Sequence, residues 1–170
     1  TIIISAIISL LYPFGLRQVP FLKIFIISII WTISTLLILV FENNIVFDNN
    51  ILFHLLIRLF FVFAITIPFD IRDLPFDNSR LKTIPIVFGE IKARIIGVTF
   101  LMFSELMCVV LFFSDSLSPH YFLATSISFL LASIFILNSN KQKSEMYFSF
   151  GVESASIIFY IILVVSSCMV

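Results

Sequence analysis

Five apolar runs, residues 24–41, 51–69, 95–114, 121–137 and 152–170, constrain this chain more than any other feature, because each is about 17 to 20 residues long. That is the length of helix needed to cross a hydrocarbon core of roughly 30 Å. Inside lipid every backbone N–H and C=O must be bonded within the segment or a closed barrel, so run length overrides the strand preference of the abundant Ile, Phe and Val. A sixth run, residues 2–12, is only about half the required length. The composition agrees: 61% of residues are hydrophobic, 22 are Phe and 12% are charged, and the mean hydropathy is +1.19, far outside soluble practice. The expected fold is an all-α, polytopic transmembrane helical bundle of five full spans plus one truncated span. Without an internal repeat or a Gly/Ser linker, residues 1–170 read as a single transmembrane domain. The first residue is Thr1 and the first run is short, so the chain reads as an N-terminally incomplete piece of a longer protein; no signal-peptide pattern precedes or follows that run.

The ten Lys and Arg balance the ten Asp and Glu, so no net field favours nucleic acid. Their placement is more informative. Arg17 and Lys23 lie between the first two runs; Arg72, Arg80, Lys82, Lys92 and Arg94 lie between the third and fourth; Lys141 and Lys143 lie between the fifth and sixth. The intervening loops hold only the acids Glu42, Asp48 and Asp115. Nine of ten bases therefore fall on one side, which the positive-inside rule makes cytoplasmic. This places loop 70–92 at the cytoplasmic face of what reads as a bacterial inner membrane. Cys108 and Cys168 both sit in apolar runs and define neither a disulfide frame nor a zinc site.

The tenth base, Arg58, is inside the third run, and Glu105 is inside the fourth at nearly the same depth. A lone charge near a bilayer's centre costs several kcal/mol, which predicts that the two pair or share a polar cavity. The alternative joins Arg58 to a substrate site with His54, one helical turn away on the same face. His54 and His120 lack the partners of a metal motif and read as interfacial or packed residues.

Asp70-Ile-Arg-Asp73-Leu-Pro-Phe-Asp77 gathers three of the ten acids into eight residues between two spans. Such carboxylates repel unless something positive, most simply a divalent cation, sits among them; a solvated loop in which Asp and Asn make turns is equally compatible with the local sequence. Asp70 and Asp73, three apart, share a face if the helix continues that far, and Pro75 then ends it. Arg80, Lys82 and Arg17 supply opposing charge. Acids and bases at a membrane surface suit a magnesium-bound diphosphate, with the apolar bundle holding a lipid tail and excluding water.

This segment, continuing through Leu81-Lys82-Thr83-Ile84-Pro85-Ile-Val-Phe-Gly89-Glu90, resembles the second aspartate-rich motif of the UbiA superfamily of intramembrane prenyltransferases. Leu11-Tyr12-Pro13-Phe14-Gly-Leu-Arg17 is similar to the Tyr-Pro and basic segment that ends that family's fourth helix. The resemblance spans essentially the whole chain, as the fourth through ninth helices of a nine-helix bundle. It implies an integral membrane transferase using Mg²⁺, with Asp70, Asp73 and Asp77 as metal-binding acids. It also implies diphosphate contacts from Arg17, Lys82 and Arg80, with Tyr12 lining the site. The substrates implied are an isoprenyl diphosphate and an aromatic or lipid acceptor. Two departures stand out: no Gly precedes the Lys-Thr pair, and the Asp77–Lys82 interval is one residue short. The family's first Asn/Asp-rich motif is not among these residues, so this chain alone is expected to be inactive. The competing class is a catalytically inactive membrane scaffold or an ion or solute transporter component. The near absence of ionisable groups along the spans, and of a Gly/Pro-broken helix pair, argues against it.

Overall fold

The computed structural model describes residues 21–76 and 82–168; the truncated first run, with Tyr12 and Arg17, lies outside them, as do Asp77 and Arg80. Six helices follow in order: α1 (Leu22–Glu42), α2 (Asn49–Asp73), α3 (Ile84–Phe88), α4 (Glu90–Phe113), α5 (Pro119–Asn138) and α6 (Glu153–Cys168). The first four long apolar runs are thus helices, α1, α2, α4 and α5, each long and apolar enough to cross a membrane. Beside these four, the last run is entered by a shorter apolar helix among the described residues, Tyr147–Ile162, and the architecture is the all-helical polytopic bundle expected. Two wider π turns interrupt the helices, Ile33–Leu37 within α1 and Tyr147–Val152 leading into α6.

The faces are those of a bundle packed in lipid. Large apolar side chains such as Trp31, Met102, Leu106 and Phe113 point outward, while Ser28, Thr32, Ser104, Thr125 and Ser128 are buried between helices. With no aqueous phase to drive helix association, close approach and polar contacts between helices hold such a bundle together. On α4 the buried residues Ala93, Gly97, Leu101, Ser104 and Cys108 recur every three or four positions and form one stripe. That stripe lies antiparallel along α2. Ser104 Oγ donates to the Ile57 carbonyl at 3.2 Å, and Gly97 faces Ala64 and Ile67. At the end bearing Asp70, Arg94 Nη1 donates to the Leu137 carbonyl at 2.9 Å and Lys141 pairs with Glu90 at 3.6 Å. These ties join α4 to the end of α5 and the turn that follows it. At the opposite end, Asp48 and Ser118 accept from the backbone N–H of Ile51 and Tyr121 and cap α2 and α5.

The stretch expected to be a long loop, residues 70–92, is largely helical among its described residues. Helix α2 runs on to Asp73 before Leu74 and Pro75 stop it, α4 already begins at Glu90, and α3 tucks Ile84 and Pro85 into the core. Hydropathy falls where the bilayer ends, but backbone hydrogen bonding does not, so the helices outlast their apolar runs. Gly89 makes the corner between α3 and α4 at φ 81° and ψ 162°. Only glycine adopts that conformation readily, although a Cβ added there would meet nothing within 4 Å. Gly89→Ala is therefore expected to lower stability by about 1–3 kcal/mol through backbone strain alone, seen as a lower melting temperature in detergent. An unchanged melting temperature excludes that strain.

The expected Arg58–Glu105 pair does not form. The Ser104–Ile57 bond puts both residues at one depth, in agreement with the sequence. However, residues 57 and 104 are the ones that face each other, and the next residue on each helix turns about 100° away. Arg58 consequently bonds Thr35 on α1 (Nε to Oγ1, 3.2 Å), and Glu105 accepts from Ser126 on α5 at 2.6 Å.

Candidate functional site

The last two turns of α2 present Asp70 and Asp73 on one face, as their three-residue spacing requires. Asp70 is buried to 2% exposure, whereas Asp73 is 29% exposed at the rim. A carboxylate buried that deeply in a membrane bundle is stable only beside positive charge. The structure supplies it from Lys23, a residue whose place in the sequence marks only which side of the membrane its loop occupies. Lys23, in the first turn of α1, places Nζ 2.8 Å from Asp70 Oδ1 and 3.5 Å from Asp73 Oδ2. Both acids thus converge on one cation. Asp73 also accepts from Arg72 Nε at 2.9 Å, and Arg72 rests over the Phe69 ring.

The wall around these charges is built by α1, α2, α3 and α4 together. Ile24, Phe63, Ile67, Ile71, Ile84 and Ala93 form one buried cluster directly beneath the carboxylates. The backbone N–H of Phe21 donates to the Lys82 carbonyl at 3.1 Å, and Phe21 stacks on Phe88. These contacts bring Lys82 to the same mouth as Lys23. Thr83, next to it, is buried, and its Oγ1 has no hydrogen-bond partner among the described residues. It precedes α3 in the N-cap position yet does not cap it. An orphaned hydroxyl costs about 1–3 kcal/mol, so its placement beside Lys82 fits a group that bonds something other than protein.

Of the residues expected at the site, then, Asp70, Asp73 and Lys82 come to one end of the bundle. Asp77, Arg80, Arg17 and Tyr12 lie outside the described residues. Among the described residues no group of three or more His, Cys, Asp or Glu could hold a metal. Two convergent carboxylates nevertheless suit magnesium, which takes one or two carboxylates and completes its shell with water and phosphate oxygens. The donor set is all oxygen, and the ammonium already standing between the two acids marks a position of favourable potential for a cation. Lys23 is not legible as a site residue in the sequence, and Thr83, though it stands in the Lys82-Thr83 pair of the motif, carries no role there. Lys23 is 47 residues from Asp70, and no local pattern links them.

No curated protein and no solved structure matches the sequence. The family profile of the UbiA prenyltransferase family, in contrast, matches residues 1–168. With nearly the whole length covered, and a fold that is an all-helical membrane bundle, the chain belongs to the UbiA prenyltransferase family.

Proposed function

We propose that the protein transfers a prenyl group from an isoprenyl diphosphate to an aromatic or lipid acceptor in a magnesium-dependent reaction, at the end of the bundle where Asp70 and Asp73 meet. The observation that carries this reading is the convergence of two carboxylates from one face of α2 on a single cationic position, above an apolar interior. Asp70, Asp73 and Asp77 are the groups that hold the metal. Lys82, Arg80 and Arg17 neutralise the diphosphate, and Tyr12 lines the approach. Lys23 joins them: its ammonium compensates the acids and lies within reach of an incoming phosphate. Thr83 offers a hydroxyl to the same anion.

When bound, Mg²⁺ supplies the charge that stabilises a departing pyrophosphate. The residues of this chain orient that anion against Lys82 and Lys23. The buried cluster of Ile24, Phe63, Ile67 and Ile71 keeps water from the allylic carbon. The bases Arg72, Lys82, Lys92, Arg94, Lys141 and Lys143 favour the cytoplasm for this end, in keeping with a bacterial inner membrane.

The direct test is binding of farnesyl diphosphate, as a probe, to the full-length protein with and without Mg²⁺. Binding is expected to require the metal in the wild type and to fall at least about tenfold in Asp73→Asn and Asp77→Asn. Metal-independent binding of equal strength in all three proteins rules the reading out.

A further inference from the structure

At the end of the bundle opposite Asp70, α1, α2, α5 and α6 leave a cavity of about 120 Å³ that nothing in the transferase reading uses. Its floor is buried and apolar, with Phe61 stacked on Phe129. Its half-buried rim carries Thr35, His54, Arg58 and Tyr121. Arg58 stands nine residues into α2 from Asn49, roughly 13 Å along the helix and well within the membrane.

The guanidinium is held from behind. Thr35 lies in the π turn Ile33–Leu37, an insertion that widens the helix and redirects its side chains. The Thr35 hydroxyl donates its proton to the Trp31 carbonyl at 2.7 Å, so toward Arg58 it can only accept, which it does from Nε at 3.2 Å. An Arg has five N–H donors; among the described residues this is the one hydrogen bond that Arg58 makes, and no ion pair reaches it. The acid at its own depth, Glu105, is turned toward Ser126. Four charged donors on the planar fork are thus left to a cavity whose other walls are mainly aromatic and aliphatic, a costly arrangement unless an anion completes it.

We propose that this cavity binds the acidic headgroup of a lipid, a phosphate diester or a carboxylate, from the leaflet at that end of the bundle. Arg58 clamps the anion through its two Nη groups, with Tyr121 and His54 beside it and the edge-on His54–Tyr121 ring contact fixing their orientation. One cation and a space of this size suit a single monoanionic group with its first methylenes. They do not suit a metal-bound diphosphate. The half-buried rim leaves the acyl chains in the bilayer.

The test is native mass spectrometry of the full-length protein titrated with dioleoylphosphatidylglycerol, oleate, or uncharged dioleoylglycerol. At least one of the two anions is expected to be retained as a one-to-one adduct about tenfold more strongly than dioleoylglycerol, and which of them is retained identifies the headgroup. Arg58→Gln is expected to erase that preference, Arg58→Lys to keep part of it, and Thr35→Val, which removes only the support of Nε, to weaken it. Equal retention of all three lipids by the wild type overturns the proposal, as does a preference that survives Arg58→Gln. Because dioleoylglycerol reports the apolar contribution in every variant, a misfolded variant is recognised by loss of all adducts, and the wild-type comparison then decides alone.

Discussion

Asp70→Asn in the full-length protein is expected to lower magnesium-dependent prenyl transfer by about 100-fold or more while leaving the protein folded. The substitution keeps the volume and planar shape of the side chain at a site only 2% exposed, so packing around Ile67 and Ile71 is undisturbed. What it removes is one of the two negative charges that converge on the cationic position beside Lys23. Lys23 is 31% exposed and can turn its ammonium to water, which limits the cost to stability. The chemistry has no such escape, because a neutral amide is a poor ligand for magnesium beside a diphosphate. Raising the Mg²⁺ concentration is expected to recover part of the lost rate. A change at the other end of the same helix provides the contrast: Asp48 is the N-cap of α2, asparagine caps equally well, and Asp48→Asn is expected to match the wild type in prenyl transfer. If Asp70→Asn also matched it, the carboxylate end could not be the catalytic one.

The unequal clarity of the sequence has a physical cause. Membrane-spanning helices announce themselves by length, since lipid demands long apolar runs. α1, α2, α4 and α5 therefore lie where the runs at 24–41, 51–69, 95–114 and 121–137 put them. Likewise, the shared face of Asp70 and Asp73 follows from helical spacing and the stop at Pro75. What could not be read is whatever depends on rotation about a helix axis. Hydropathy fixes the depth of Arg58 and Glu105 but not their azimuth, and a turn of about 100° separates a pair facing each other from a pair facing away. The same limit hid the partnership of Lys23 with Asp70, which arises only when α1 is laid against α2. It also hid the π turn at Ile33–Leu37, because one extra residue in a turn leaves no mark on an apolar average. α3 was concealed for a different reason: five residues after a loop carry too short a period to separate from a turn.

Azimuth is also what makes Gly97 a tightly packed position of the bundle. A Cβ there would stand 3.1 Å from Ile136 Cγ2, 3.4 Å from Ile67 Cδ1 and 3.5 Å from the Ala64 carbonyl oxygen. The site is therefore the point where α4 touches α2 and α5 at once. Two effects compete on substitution. Alanine gains roughly 1 kcal/mol of helix propensity over glycine, and its single methyl is tight only against the Ile136 Cγ2 methyl, which must give by a few tenths of an ångström. Gly97→Ala is accordingly expected to stay within about 1 kcal/mol of the wild type. Leucine gains the same propensity but must place three further carbons where α2 and α5 already are. Overpacking of this kind costs typically about 1–3 kcal/mol and occasionally more, which exceeds the gain. Gly97→Leu should therefore melt well below the wild type in detergent. The damage should also reach the carboxylates, because Ile67 lies three residues before Asp70 on α2 and packs in the cluster beneath it. Displacing Ile67 shifts Asp70 relative to Lys23, so the concentration of Mg²⁺ needed for half-maximal binding of farnesyl diphosphate should rise in whatever Gly97→Leu protein remains folded. A Gly97→Leu protein that melts with the wild type and binds the metal as tightly would mean that α2 and α4 are not in contact at this level.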